Sequence, residues 1–358
     1  MAAKTDSKEI AEIYTKFTFK KVLFIISSLL GLGTLVILAT SMGASNLNVN
    51  DVFNAIVAKI LPFSGVESNI HDEIIIWNLR LPRIIMAVIA GAGLAVSGAV
   101  MQGVMRNPLV SPFTIGVSSA AAFGASIAIM FGFGFMGSGT YNIITNAFIF
   151  ALMCAFLVYG IAKIRGVTPE TLILAGIALM YLFGALTATL QYIATEEQLS
   201  AVIHWTFGTL TGSGWNEILI VTIMLTICLP LLWRYAWDLN AMASGGDEVA
   251  TSLGVNTSRV RMISLTLATI ITAGIICFTG IIGFVCLVAP HITRFIIGSD
   301  HRFLIPCSCI FGAILLLAAD TAGRMMFSPI IIPVGIVISY IGVPLFLYLL
   351  MKRRKDYW

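Results

Sequence analysis

An all-α polytopic membrane protein is the fold class this sequence predicts, and two observations together predict it. Hydrophobic residues fill 58% of the 358 positions and charged residues only 11%, where a soluble domain carries about a quarter. The mean hydropathy is +0.97. The apolar residues also gather into runs of about 20, the length a helix needs to cross a bilayer core, separated by short polar pieces. The net charge of +4 is therefore read as a topology signal, and no nucleic-acid partner is expected.

Taken in order, residues 1–21 are mixed in charge and read as a cytoplasmic N-terminal segment. Val22 to Thr40 is a first span; it follows Lys20-Lys21 and lacks a small-residue cleavage site, so it reads as an anchor and not a removed signal peptide. Asn46 to Asp72 is a polar outer loop with an amphipathic piece at Val52, Phe53, Ile56 and Val57. Spans follow at Arg83–Val104, Thr114–Phe133, Tyr141–Ala162, Glu170–Ile193, Trp215–Trp233, Val260–Thr279, Ile282–Ile297, Phe303–Ala322 and Ile332–Met351. The total is about ten transmembrane helices. Residues 22–351 form a single transmembrane domain, and residues 352–358 a basic cytoplasmic tail.

Charge tests this count. With both termini inside, as an even number of spans requires, only Lys59, Arg80, Arg83 and Arg324 of the 21 lysines and arginines fall outside. The inner set includes Lys4, Arg353, Arg354 and Lys355. The spans divide six and four around a polar island at residues 244–256, so spans two to five and the last four have opposite topology, as in inverted repeats. The island, Ser244-Gly245-Gly246-Asp247-Glu248-Val249-Ala250-Thr251-Ser252-Leu253-Gly254-Val255-Asn256, makes barely two helical turns before Gly254 ends it. Val249, Ala250 and Leu253 are expected on one face. It reads either as a connecting loop or as a foot gripped by another protein.

What the chain lacks narrows its chemistry. It has no Gly-x-x-x-x-Gly-Lys-Ser/Thr loop, so ATP is not bound here in that manner. Asp320 is the one clear acid inside a span, with Arg324 four residues on to pair with it. This is too few ionisable groups for an ion-coupled secondary transporter. A membrane enzyme would draw on His204, His291 and Asp320, but each histidine reads more simply as structural or interfacial, and neither catalytic nor metal-binding residues are expected. The six cysteines lie in apolar runs without zinc-ligand spacing.

Several stretches then match a family in its order: Leu79-Arg80-Leu81-Pro82-Arg83, Gly98-Ala99-Val100-Met101-Gln102-Gly103, Arg106-Asn107-Pro108-Leu109 and Gly116-Val117-Ser118-Ser119. Gly246 to Val255, Gly280 to Arg294, Asp300-His301-Arg302, Ala319-Asp320 to Arg324, Pro333-Val334-Gly335-Ile336 and Gly342-Val343-Pro344 complete the set. From Leu79 to Lys352 the chain resembles the FecCD-type permeases of ABC importers for iron-siderophores, haem and vitamin B12. One departure is Ile331, where the family often has an acidic residue.

The resemblance implies a type II ABC importer permease of inverted-repeat architecture in a prokaryotic cytoplasmic membrane, surrounded by lipid. It implies a homodimer or a heterodimer with a related permease, a pair of ATPase subunits that hold ATP and Mg, and an extracytoplasmic substrate-binding protein. No cofactor is expected on this chain. Gly246, Asp247, Glu248, Ala250, Ser252, Leu253 and Gly254 match the ATPase-coupling segment. Thr168 and Pro169 fall near the cytoplasmic gate, although Pro at a first helical position is also a plain helix start. Met101 and Gln102, with Met86 and Met105, are candidates for the pathway, yet methionine there serves packing as often. Arg80, Arg83 and Arg324 are expected at a water-exposed outer face, either as a basic rim that docks the binding protein or as anchors of helix ends. Iron-siderophore is the expected cargo by family frequency, with cobalamin or haem as the alternative.

Overall fold

The computed structural model describes residues 7–43, 48–61, 63, 66, 68–135 and 139–352. Its regular structure is helical. In chain order it runs α1 (Ser7–Ser41), α2 (Val49–Ile60), α3 (Ile70–Ile74), α4 (Leu81–Met105), α5 (Val117–Phe131), α6 (Thr140–Arg165), α7 (Pro169–Ile193), α8 (Glu196–Thr206), α9 (Trp215–Arg234), α10 (Ala236–Ser252), α11 (Thr257–Thr279), α12 (Val285–Ile297), α13 (His301–Met325) and α14 (Val334–Lys352). A π-helical turn at Ile75–Arg80 joins α3 to α4. Seven stretches are long and apolar enough to cross a membrane, and α5, α12 and α14 supply three shorter apolar helices. These ten are the ten spans expected.

Three boundaries differ from the sequence reading. No break separates an N-terminal segment from the first span, because nothing between Ser7 and Ser41 interrupts the helix. Lys4 and residues 353–358, which hold most of the expected basic tail, lie outside the described residues. α12 begins at Val285 and not at Ile282, since Gly280 (φ 68) and Phe284 (φ 62) take positive dihedrals that no helix continues through. Its 13 residues reach only about 20 Å, against a hydrocarbon core of about 30 Å. α5 is likewise short, entered through Gly116 at φ 84 after the irregular Arg106–Ile115 connection.

That shared irregularity is the clearest mark of the inverted repeat. α4 to α7 have 25, 15, 26 and 25 residues, and α11 to α14 have 23, 13, 25 and 19. Each set is one long helix, one short helix after a positive-φ entry, then two longer ones. The sets run in opposite directions: α4 ends where α11 begins, beside α10.

α4 is the hub. Every residue from Ala90 to Met105 is buried, among α9, α11, α12 and α13. Two crossings are backbone to backbone: a Cβ on Gly98 would lie 1.6 Å from the Cys286 carbonyl oxygen of α12, and one on Gly91 would lie 2.3 Å from that of Gly312 of α13, with one on Gly312 in turn 2.4 Å from that of Gly91. Small residues at such crossings let backbones meet and gain dispersion, which is what drives helix association in lipid. α1, by contrast, lies at the edge with Leu23, Leu30 and Ile37 exposed. The bundle therefore has two ends: one carries α10, the other the Arg80 turn.

Candidate functional site

At the first end, α10 folds as two helical pieces across Gly246, whose φ of 78° breaks the helix. Glycine is needed there for that dihedral, and its bare backbone lets the end of the Arg106 side chain approach, Nη1 lying 2.8 Å from where a Cβ would stand. The first piece buries Ala236, Leu239, Met242 and Ala243, an i, i+3, i+6, i+7 stripe visible in the sequence but not used to find a helix there. The second piece ends in a Schellman turn: Val255 N–H donates to the Ala250 carbonyl at 3.0 Å and Gly254 N–H to that of Thr251 at 2.9 Å, with Gly254 at φ 88°.

The expected shared face is not what forms. Ala250 is fully buried, whereas Val249 is 46% and Leu253 68% exposed, and Glu248, Ser252 and Gly254 are exposed with them. The buried side is the one toward the bundle, and one short turn has room for only one small residue against it. Val249 and Leu253 thus form a small apolar tip that nothing among the described residues covers.

What holds this foot is a residue the sequence reading counted only as a topology charge. Arg261, buried near the start of α11, donates through Nη2 to both oxygens of Asp247 at 2.8 and 3.0 Å, and through Nη1 to the Val167 carbonyl at 2.8 Å. One guanidinium joins the foot, α11 and the turn before α7. Thr168 caps α7 by accepting from Thr171 N–H at 3.3 Å, with Pro169 in the first turn. The helix-start reading of that pair therefore holds, and the turn sits directly beside the arginine that grips the foot.

A second tie holds the first piece of α10. Asn240 donates to Asp300 at 2.8 Å and accepts from His301 N–H at 2.8 Å. Asp300 caps α13, pairs with Arg302 at 2.7 Å and lies 3.6 Å from Lys21. Burial alone would raise the Asp300 carboxyl, but donors from Arg302 and Asn240 and the charge of Arg302 hold it well below the usual carboxylate range.

At the opposite end the arginines are not an exposed rim. Arg80, Arg83 and Arg324 are 6%, 8% and 9% exposed. Arg83 donates to Asp320 Oδ1 through Nε at 2.9 Å and Nη2 at 2.8 Å, and to Thr211 through Nη1 at 3.0 Å. Arg324 Nε lies 3.1 Å from Oδ2 of the same carboxylate. Arg80 donates to the carbonyls of Thr40 and Ser41 at 2.6 and 3.0 Å, and Arg324 to those of Met42 and Ala39 at 3.2 and 3.3 Å. Those are the carbonyls that the end of α1 leaves without helical partners, at the negative pole of its dipole. The π-helical turn aims Arg80 at them. The anchoring alternative thus accounts for the positions of Arg80 and Arg324, and a cleft of about 190 Å³ bordered by Ile331 opens onto all three arginines.

Met101 and Gln102 are also corrected. Both are fully buried, with Gln102 Nε2 donating to the Leu287 carbonyl at 3.4 Å. Met86 and Met105 are buried too. All four pack the hub inside one chain. Asp320 is taken up by arginines, His291 packs on Phe346, and His204 lies elsewhere, on α8. Among the described residues no three His, Cys, Asp or Glu groups gather as metal ligands. α8, announced by the Thr195–Gln198 capping box, instead turns Glu196, Glu197, Ser200 and His204 into an open cavity of about 1120 Å³ at the arginine end.

Residues 29–352 match the profile of the FecCD transport family. The chain is 40% identical over 283 residues to the cobalamin import system permease protein BtuC of Halobacterium salinarum, covering 79% of this chain and 74% of that one. It is 37% identical over 355 residues to the iron(3+)-hydroxamate import system permease protein FhuB of Bacillus subtilis, covering 98% and 88%. An ABC transporter of the metal-chelate type, solved in an inward-facing conformation, superposes with a TM-score of 0.79 at 33% identity, over 92% of this chain and 99% of that chain.

Proposed function

The chain belongs to the FecCD transport family, as the membrane-embedded permease subunit of an ABC importer for metal chelates whose ATPase is a separate subunit, and from that premise we propose that its cargo is an iron-siderophore. The similarity to the hydroxamate permease over 98% of the chain supports this cargo. Cobalamin and haem are the alternatives, and the cavity of about 1120 Å³ is of a size for any bulky chelate.

In this reading the α10 end faces the cytoplasm of a prokaryotic cell, both termini lie on that side, and the arginine end meets the binding protein outside. Two copies, or this chain and a related permease, supply the two feet that a pair of ATPases holding ATP and Mg needs. The observation that carries the coupling role is the exposed Val249–Leu253 tip on a foot fixed from behind by Arg261. An apolar patch rimmed by polar residues is the surface a partner buries. Thr168 and Pro169, beside the same arginine, are where motion of the foot would reach α7 and the inner gate. Docking at the other end would use an acidic side chain reaching into the cleft onto the three guanidiniums.

The test is uptake into proteoliposomes with the ATPase and binding protein added. Uptake should be vanadate-sensitive and absent without the ATPase, and Leu253→Ser should reduce it at least fivefold while protein yield and thermal stability stay unchanged. Full uptake by Leu253→Ser would remove the foot from the mechanism. The chelate retained by the cognate binding protein identifies the cargo.

A further inference from the structure

α2 is the amphipathic piece of the connection between α1 and α4, and protein covers only part of its apolar arc. Val52 and Ala55, both buried, pack on Ile76 of the π-helical turn, and Trp77 of that turn donates its indole N–H to the Ala55 carbonyl at 3.1 Å. At about 100° per residue, Phe53, Val57 and Ile60 share the neighbouring face, and Asn50, Asp51 and Asn54 fill the remaining side. Phe53 is 63% and Ile60 61% exposed, and Leu61 and Phe63 continue the exposed apolar run past the helix end. The helix thus has three sides: one on protein, one apolar and bare, one polar.

The level of α2 in the molecule identifies what covers the bare side. Trp77 and Trp215 lie with ring centroids 6.0 Å apart where the spans of α4 and α9 begin, and Trp215 donates its indole N–H to the Trp77 carbonyl at 3.0 Å. Tryptophans at the ends of spans mark headgroup depth, because the ring is apolar and its N–H polar. The bond from Trp77 to Ala55 fixes α2 at that depth. α2 also packs beside the end of α1, where Ile37, Leu38 and Met42 are exposed. The bare face therefore adjoins a surface that already meets lipid. A helix lying along the headgroup plane needs this division, with apolar residues toward the acyl chains and polar ones toward water.

We propose that α2 is an interfacial helix, laid along the bilayer surface at the arginine end with Phe53, Val57, Ile60 and Phe63 among the acyl chains and Asn50, Asp51 and Asn54 toward water. The partner of this face is the lipid surface. The contact ties the connection between α1 and α4 to the membrane beside the joint where Arg80 caps α1. It holds for any cargo.

The test uses the full-length permease in nanodiscs of phosphatidylcholine and phosphatidylglycerol, with a nitroxide attached to Phe53→Cys, Ile60→Cys or Asn50→Cys. All three positions are exposed, and the six native cysteines are buried or half-buried, so the unsubstituted chain carried through the same labelling sets the background. Power saturation compares collisions with oxygen, which concentrates among acyl chains, and with a water-soluble nickel chelate. The oxygen-to-nickel ratio at positions 53 and 60 should exceed that at position 50 by about fivefold, as burial of an apolar face below the headgroups implies. Equal ratios at the three positions would overturn the proposal. So would nickel access at position 53 that the binding protein abolishes, which would give the face to that protein. Spin–spin broadening at position 53 that disappears on dilution with unlabelled permease would give it to a second copy, and overturn the proposal equally. Positions 53 and 60 report independently, so the loss of one variant to misfolding leaves the other to decide.

Discussion

Both ends of the bundle set an arginine against an aspartate, and they do so under opposite solvent conditions. At the arginine end the Asp320 side chain is 0% exposed and is shared by Arg83 and Arg324, themselves buried. At the foot end Arg261 is buried, while Asp247 keeps 44% of its side-chain surface. Removing one member of an enclosed pair strands a charge that water cannot reach; removing the buried member of a half-open pair leaves a group that water can solvate. The first arrangement suits a fixed joint between α1, α4 and α13. The second suits a foot that must hold its shape yet present a surface.

The comparison can be broken most severely at Asp320. Asp320→Asn should cost about 3–5 kcal/mol, because two guanidiniums lose their countercharge without gaining water. Thermal unfolding of the purified protein measures it, and a near-unchanged midpoint would mean the cluster is wetter than its burial indicates. Next is Arg261→Gln, which takes about 2 kcal/mol by removing charged hydrogen bonds to Asp247 and Val167 but leaves the carboxylate hydrated. Its effect on coupled uptake should exceed its effect on stability. ATPase activity without transport is the expected signature.

Charge reversal at Arg83 would report on Asp320 before it reported on docking. Ile331→Glu is the sharper test of the cleft. Ile331 is 45% exposed beside all three arginines, so a carboxylate there should leave folding within about 0.5 kcal/mol. It should also compete with an incoming acid and weaken binding-protein association severalfold at low salt. Unchanged association would leave Arg80 and Arg324 as caps of α1 and Arg83 as a partner of Asp320 alone.

The smallest effect is a pH dependence at Asp300. Its carboxyl is held below the ordinary range in the folded state, so its stabilisation is fully present above the unfolded value of about 4 and is lost as pH falls through the folded one. The difference in unfolding temperature between wild type and Asp300→Asn should be constant from pH 8 to 5 and shrink below about pH 4.

The sequence by itself determined the class, the ten spans and the opposed repeats, because hydropathy, chain breakers and flanking charge are local properties. Gly116, Gly246, Gly254 and Gly280 interrupt the helices where a reading of single residues would place breaks. It also marked out the second piece of α10, through the motif between Gly246 and Val255. Only the tertiary structure decided which way each side chain faces. A bilayer is as apolar as a protein interior, so hydropathy cannot distinguish Met101 in the hub from Leu30 in lipid. Nor can it show that Arg83 meets an aspartate 237 positions away, or that Arg261 spans from Asp247 back to Val167. Those partners are set by how helices pack, and packing turned an expected exposed rim into two buried caps of α1, Arg80 and Arg324, with Arg83 held on Asp320.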